Sequence, residues 1–307
     1  MPVKVPETLP AVEQLKAENI FVMGANRATS QDIRPLRIAV LNLMPLKIMT
    51  ETDLLRLLSN TPLQIELDLI DTGVHKSKNT QEEHIETFYK TFDEVSDIFY
   101  DGFIVTGAPV EKMRFEEVDY WKRLTEIFDW ARTHVTSTLY ICWAAFGALY
   151  HFYGIDKKMT SEKISGVFPH TATMPLDPLF RGFDTTFNVP HSRFAVIDRE
   201  AVEANPTLEI MAESPQSGIY IIRARGGREF FITGHSEYSP RTLDYEYHRD
   251  LDKGLNPAIP KNYYPGDDPS REPVVSWRSH ANLLFSNWLN YYVYQPTPFL
   301  PSDIAKL

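Results

Sequence analysis

From Leu36 onward the chain alternates between two kinds of apolar spacing. Leu36-Arg-Ile-Ala-Val-Leu-Asn-Leu43 is an apolar run with β-branched residues, and residues 63–70 alternate apolar with polar at period two, so both predict strands. Between them, Thr50-Glu-Thr-Asp53 has the form of a capping box with Asp in the Glu position, predicting a helix that opens there and runs through Leu58. A helix of about a dozen residues is expected from Gln81. Tyr100-Asp-Gly-Phe-Ile-Val-Thr-Gly107 reads as a third strand ending in a glycine turn. In residues 116–134, Val118, Trp121, Leu124, Ile127, Phe128 and Ala131 recur at helical spacing. Ser137-Thr-Leu-Tyr-Ile141 is a short buried strand, followed by Cys142 and by a helix over 143–152 that stops at Gly154, a residue suited to the left-handed cap.

Residues 157–205 are richer in Pro, Thr and Asp and lose this periodicity. Strands return at 208–212, 218–224 and 229–233, with Gly226-Gly227 as a hairpin turn between the last two. Residues 241–252 read as a charged helix, 253–274 as a long proline-bearing surface loop, and 276–294 as an aromatic C-terminal helix. Residues 1–35 are expected to form a polar arm packed on the body, with a helical stretch around 11–18, which leaves 36–307 as a single α/β domain. Alternation of strand and helix implies a largely parallel sheet with helices on both faces.

Charge and composition remove several function classes. Against 31 Lys+Arg stand 41 Asp+Glu, a net charge of −10 without a basic block, so no nucleic-acid partner is expected. The apolar run over 139–150 falls short of the roughly 18 residues that span a bilayer, and the start has prolines and charges where a signal peptide needs an apolar stretch. No membrane partner is therefore expected. A single cysteine excludes an internal disulfide and a multi-thiolate zinc site and suits a reducing, cytoplasmic compartment. No ligand cluster has metal spacing, so no metal is expected.

Position gives that one cysteine its meaning. Cys142 sits where a buried strand turns abruptly into a helix, and such an elbow lifts the thiol above the sheet beside the amides and positive dipole end of the helix. Both favour a thiolate, and the same donors can hold an oxyanion. Free cysteines are most often inert packing, so a second signal is needed. It comes from Phe230-Phe-Ile-Thr-Gly-His-Ser-Glu237, where a strand end is followed by His235 and Glu237. In an extended segment their side chains share one side, and the carboxylate can hold the imidazole in the tautomer that accepts a thiol proton. Cys142, His235 and Glu237 thus form a nucleophile, base and orienter series.

The stretches Tyr140-Ile-Cys-Trp-Ala-Ala-Phe-Gly147, Leu43-Met-Pro-Leu-Lys47, Thr106-Gly-Ala-Pro109, Val189-Pro-His-Ser192 and Gly234-His-Ser-Glu-Tyr238 run collinearly through the chain. Together they resemble the homoserine O-acyltransferase family usually labelled homoserine O-succinyltransferase. The resemblance implies a flavodoxin-like α/β fold shared with class I glutamine amidotransferases, and a Cys-His-Glu triad. It departs from the glutaminase elbow Gly-x-Cys-x-Gly, because Tyr140 and Ala144 stand at the glycine positions. The implied activity is acyl transfer from acyl-CoA to the hydroxyl of L-homoserine in methionine biosynthesis, through a Cys142 thioester and with ping-pong kinetics. Implied partners are these small molecules and a second copy of the chain in a homodimer, with CoA as co-substrate and no permanently bound cofactor.

The same resemblance places Lys163, Ser192 and Arg249 at substrate-binding positions. Arg249 can grip a carboxylate, and Glu246, three residues earlier on the same predicted helix, can neutralise an ammonium. Lys47, after a strand end, and Trp143, beside the nucleophile, are candidates to hold the oxyanion or touch CoA. In this family glycine directly after Gly-Ala-Pro-Val goes with succinyl-CoA and glutamate with acetyl-CoA. Here the residue is Glu111, whose side chain would fill the space of a succinyl tail and set carboxylate against carboxylate. The expected donor is therefore acetyl-CoA, with succinyl-CoA as the alternative. A thiol hydrolase of the amidotransferase kind and a non-catalytic binding protein on the same fold are the readings from other classes.

Overall fold

The computed structural model describes residues 35–74 and 82–307, together with a parallel two-residue pairing of Lys4–Val5 with Met23–Gly24. The expected helical stretch at 11–18 and the predicted helix start at Gln81 lie outside the described residues. The first half runs β1 (Leu36–Leu41), α1 (Lys47–Leu58), β2 (Ile65–Asp71), α2 (Glu82–Phe88), β3 (Tyr89–Thr91), β4 (Tyr100–Val105), α3 (Trp121–His134), β5 (Val135–Ile141) and α4 (Trp143–Tyr153). The second half adds β6 (Lys157–Ala172), β7 (Phe187–Ile197), β8 (Leu208–Ser214), β9 (Gly218–Ala224), β10 (Glu229–Ile232), α5 (Thr242–Asp252) and α6 (Arg278–Asn287).

These strands form one sheet in the order β3-β2-β1-β4-β5-β10-β9-β8-β6-β7. From β3 through β10 neighbours are parallel, and from β10 onward they are antiparallel. Alternation along the strands decides which layer each residue enters. Ile38, Val40, Ile104, Leu139 and Ile141 pack toward Leu54 and Leu58 of α1 and Leu284 and Phe285 of α6. Ala39, Leu41, Phe103, Val105 and Tyr140 pack toward Leu124, Ile127 and Phe128 of α3 and Phe146 and Leu149 of α4. A parallel sheet covered on both faces needs apolar residues on both, which is why β4 and β5 are buried along their whole length.

Four expectations change. α1 begins at Lys47, one turn before the supposed box, because Thr50 Oγ1 donates back to the Leu46 carbonyl at 3.3 Å as a mid-helix threonine does, and Asp53 turns to Arg56. The aperiodic region 157–205 holds the two longest strands of the sheet, β6 and β7, paired as an antiparallel hairpin. Its pattern is broken by a register shift in which the β6 residues between Met159 and Ile164 bulge out opposite Phe194. The segment 253–274 is a loop as expected, but it packs inward: Tyr263 and Tyr264 are buried, and Lys261 bridges to Gly166 of β6. The C-terminal helix also changes form, passing from α6 into a π-helical segment at Trp288–Tyr294.

Candidate active site

Loops at the carboxyl ends of β1, β4, β5 and β10 converge on one cleft of about 410 Å³, the position at which α/β sheets commonly bind ligands. The cleft is lined by Met44 and Pro45 after β1, by Gly107 through Met113 after β4, by Cys142 after β5, and by His235, Glu237 and Tyr238 after β10. Because β5 and β10 are adjacent and parallel, with Ile141 opposite Ile232, the residues that follow them must meet. The Cys142 amide donates to the Ile232 carbonyl at 2.6 Å and secures the junction.

Cys142 occupies the N-cap of α4 with φ 51° and ψ −116°, a backbone conformation that non-glycine residues rarely adopt. This is the elbow expected from the sequence. The glycine requirement has moved across to the neighbouring strand end. A Cβ at Gly107 would lie 3.2 Å from the Cys142 Cβ and 3.6 Å from the Trp143 amide nitrogen. Tyr140 is instead buried against Phe231, and Ala144 is fully buried.

His235 Nδ1 donates to Glu237 Oε1 at 2.6 Å, which leaves Nε2 for Cys142, to which the ring is hydrogen-bonded. Burial pulls the imidazole pKa down, but the charges of Cys142 and Glu237 and their hydrogen bonds overturn this and hold it well above the ordinary histidine value. The imidazole is therefore held in its charged form. His235 is fixed from several sides: its amide donates to the Pro190 carbonyl at 2.8 Å, and Tyr220 and Ser236 share a hydrogen bond of 2.6 Å in the same loop region.

The wall of the cleft that carries both signs of charge is built by the β6–β7 hairpin and α5. The bulge in β6 brings Lys163 into the cleft, with Nζ 3.4 Å from both Glu246 Oε2 and Asp250 Oδ2. The Ser192 hydroxyl donates to Glu246 Oε2, and the Tyr238 hydroxyl donates to Oε1 at 3.0 Å. Arg249 directs Nε and Nη2 to Asp250 Oδ1 at 2.9 and 2.7 Å. Asp250 and Tyr238 were not singled out by the sequence reading. Asp250 was legible in principle, since it lies four residues after Glu246 on one helix face. Tyr238 gave no spacing signal.

Glu111 lies in the same cleft, its Oε2 accepting from the Phe194 amide at 3.1 Å. The bulge opposite Phe194 is what leaves this strand amide for a side-chain partner. Burial raises the Glu111 pKa, and the Phe194 amide, Lys163, His235 and Arg193 oppose the rise. Asp53, which also lines the cleft, is pushed up to about 6 by burial, against its hydrogen bond from Arg56, and with Glu237 adding to the rise.

Lys47 and Trp143 do not bring their side chains to Cys142. Lys47 Nζ donates to the Asn42 carbonyl at 2.5 Å and lies 3.7 Å from Asp71, in an adjoining recess that shares Met44 and Pro45 with the cleft. Local carbonyl and carboxylate oxygens have captured its ammonium, which corrects the expectation of an oxyanion contact from this group. The Trp143 indole packs among Phe115, Tyr120 and Trp121 in the core, so only its backbone amide, in the first turn of α4, borders the site.

Behind the His235 loop runs a buried polar chain. Arg193 Nε donates to His191 Nδ1 at 3.3 Å, and His191 Nε2 donates to His170 Nε2 at 3.1 Å. His170 Nδ1 donates to the Phe168 carbonyl at 2.8 Å; these proton positions are assigned from the network. Burial lowers His170 to about 4 and His191 well below its ordinary value, so both rings are neutral. Among the described residues no group of three or more His, Cys, Asp or Glu is arranged to hold a metal ion, and no helix is long and apolar enough to cross a membrane.

With this geometry in place, comparison with known proteins decides the family: residues 2–299 match homoserine O-succinyltransferase. The chain belongs to that family. It is 64% identical to a homoserine O-acetyltransferase of Parabacteroides distasonis over all of this chain and 99% of the relative. It is 59% identical to one of Brevibacillus brevis over 97% and 98% of the two chains. In structure it is similar to a glutamine amidotransferase from Thermotoga maritima, with a TM-score of 0.54 and 14% identity over 85% of this chain and 100% of that one. This likeness bears on the fold alone and agrees with the α/β architecture expected from the strand–helix alternation.

Proposed function

We propose that the chain transfers an acetyl group from acetyl-CoA to the hydroxyl of L-homoserine, a step of methionine biosynthesis, through a thioester on Cys142. The observation that carries this reading is the hydrogen-bonded series Cys142, His235, Glu237 at the floor of a cleft whose other wall holds both signs of charge. High identity to relatives named homoserine O-acetyltransferase supports acetyl as the group and homoserine as the acceptor.

In the first half-reaction the Cys142 thiolate attacks the thioester carbonyl, and the new oxyanion is met by the Trp143 amide at the positive end of α4. Collapse expels CoA as a thiolate, which takes the proton held by His235. In the second half the neutral imidazole accepts the proton of the homoserine hydroxyl as its oxygen attacks the acyl-cysteine. Cys142 leaves as a thiolate, and its ion pair with His235 is restored. Glu237 holds Nδ1 throughout. Homoserine is a zwitterion, so its carboxylate falls to Arg249 and Lys163 and its ammonium to Glu246, with Asp250 and Ser192 orienting these groups. Glu111, fixed by the Phe194 amide, closes the acyl end of the cleft against a donor carrying its own carboxylate.

The same reading carries a cytoplasmic homodimer in which residues 36–307 act as one α/β domain and 1–35 as an arm. Sedimentation velocity of the whole chain tests the dimer.

Acetyl-CoA given without homoserine should release CoA in a single burst and leave an acetyl group on Cys142, located by peptide mass spectrometry. Homoserine should then convert the burst to turnover. An adduct elsewhere, or ammonia released from glutamine without any CoA requirement, would replace this reading with another.

A further inference from the structure

Tyr238 touches both halves of the cleft. Its ring lies against the His235 imidazole with centroids 4.2 Å apart and planes inclined by 16°. Its hydroxyl donates to Glu246 Oε1 at 3.0 Å, the oxygen that Lys163 and Ser192 leave free. The residue itself is fixed: its amide donates to the His235 carbonyl at 3.2 Å, and Trp277 Nε1 donates to the Tyr238 carbonyl at 3.1 Å. Burial, with the charges of Glu246, Glu237 and Cys142, holds the phenol well above its ordinary pKa, so it remains a neutral donor.

We propose that Tyr238 is a positioning residue that couples the two half-reactions. Through its hydroxyl it sets the Glu246 carboxylate for the acceptor's ammonium, and through its ring it holds the imidazole plane between Cys142 and Glu237. An aromatic face against an imidazolium also favours the charged ring. Neither contact reaches a reacting atom, so the two roles can be separated by removing the hydroxyl alone and then the ring. The inference rests on the proposed assignment of His235 as base and Glu246 as the ammonium partner.

Tyr238→Phe should raise the KM for L-homoserine about five- to thirty-fold, the loss expected for one buried hydrogen bond to a carboxylate. The burst of CoA from acetyl-CoA alone should stay within about twofold of wild type, because the ring remains. With 4-hydroxybutanoate as acceptor, which lacks the amino group, the variant and wild type should have the same KM. Tyr238→Leu should also slow the burst and move the alkaline limb of its pH profile downward, since the imidazolium loses its aromatic face and gives up its proton at lower pH. Circular dichroism and thermal midpoints of both variants accompany the kinetics.

An unchanged homoserine KM in a folded Tyr238→Phe, or an equal penalty with both acceptors, would overturn the inference while leaving the acyl-enzyme reading intact. A burst absent from the wild type would remove that reading and this inference with it.

Discussion

At the scale of single residues, the site works by placing groups where their ordinary behaviour is changed. Cys142 is held at positive φ against a glycine, and His235 is buried yet kept protonated by its two partners. Glu111 is the residue at which the proposed choice of donor is tested. Its Oε2 is fixed by the Phe194 amide, and its side chain lines the cleft. Glu111→Gly removes a fixed carboxylate, so the ratio of kcat/KM for succinyl-CoA over acetyl-CoA should rise by about tenfold or more, as expected when one repulsive contact of roughly 1–3 kcal/mol is lost. Donor competition assays followed by product mass measure this ratio. An unchanged ratio would show that Glu111 has no part in selection.

At the scale of elements, what the sequence revealed depended on whether a segment's pattern came from its own layer. β1, β4, β5 and β8 through β10 follow the predicted runs closely because their alternation is set by the two apolar faces of the sheet. The Cys142 elbow and the His235–Glu237 contact were legible for the same reason, since strand ends mark where a parallel sheet opens to ligands. The β6–β7 hairpin was not legible. Its bulge breaks the period, and Pro169 and Pro190 sit inside strands that pair with each other. Lys47 misled because proximity in sequence to a cleft loop does not say that Asn42 and Asp71 will take the ammonium first.

The hairpin also receives the 253–274 loop, and that contact is tight. At Gly166, with φ 141°, a Cβ would come within 2.3 Å of the Lys261 carbonyl oxygen and 2.5 Å of its nitrogen, both backbone atoms. Gly166→Ala must therefore part the loop from β6, breaking the hydrogen bonds from Lys261 to Ser165 and from Val167 to Lys261. Limited proteolysis should show new cleavage within 253–274, with a loss of about 2–4 kcal/mol in chemical denaturation. Equal protease resistance in variant and wild type would contradict this account.

At the scale of the whole molecule, the sheet joins a parallel half, whose strand ends carry Cys142 and His235, to an antiparallel half whose outermost hairpin, β6–β7, carries Lys163, Ser192 and the buried chain Arg193, His191, His170. That chain has a stability signature. A histidine whose pKa is depressed on folding contributes stability that is complete above its unfolded value of about 6.5 and is lost as pH falls toward its folded value. For His170 the window runs from about 6.5 down to about 4. The stability advantage of wild type over His170→Gln should therefore shrink as pH is lowered from 7 to 5, by about 1.4 kcal/mol per pH unit at most. Urea unfolding at several pH values measures the difference. A gap that stays constant or widens on acidification would mean that His170 is not held neutral.

The pairing of β5 with β10 also orders events in time. A ribosome makes the strand that ends at Cys142 well before it makes the strand that ends at His235, and the Cys142 amide is pinned only when Ile232 arrives. Until then the elbow lacks its neighbour, and the thiol has neither a base to take its proton nor a carboxylate to hold that base. On the proposed chemistry, a chain truncated before β10 would hold Cys142 without the His235–Glu237 pair and should release no CoA from acetyl-CoA.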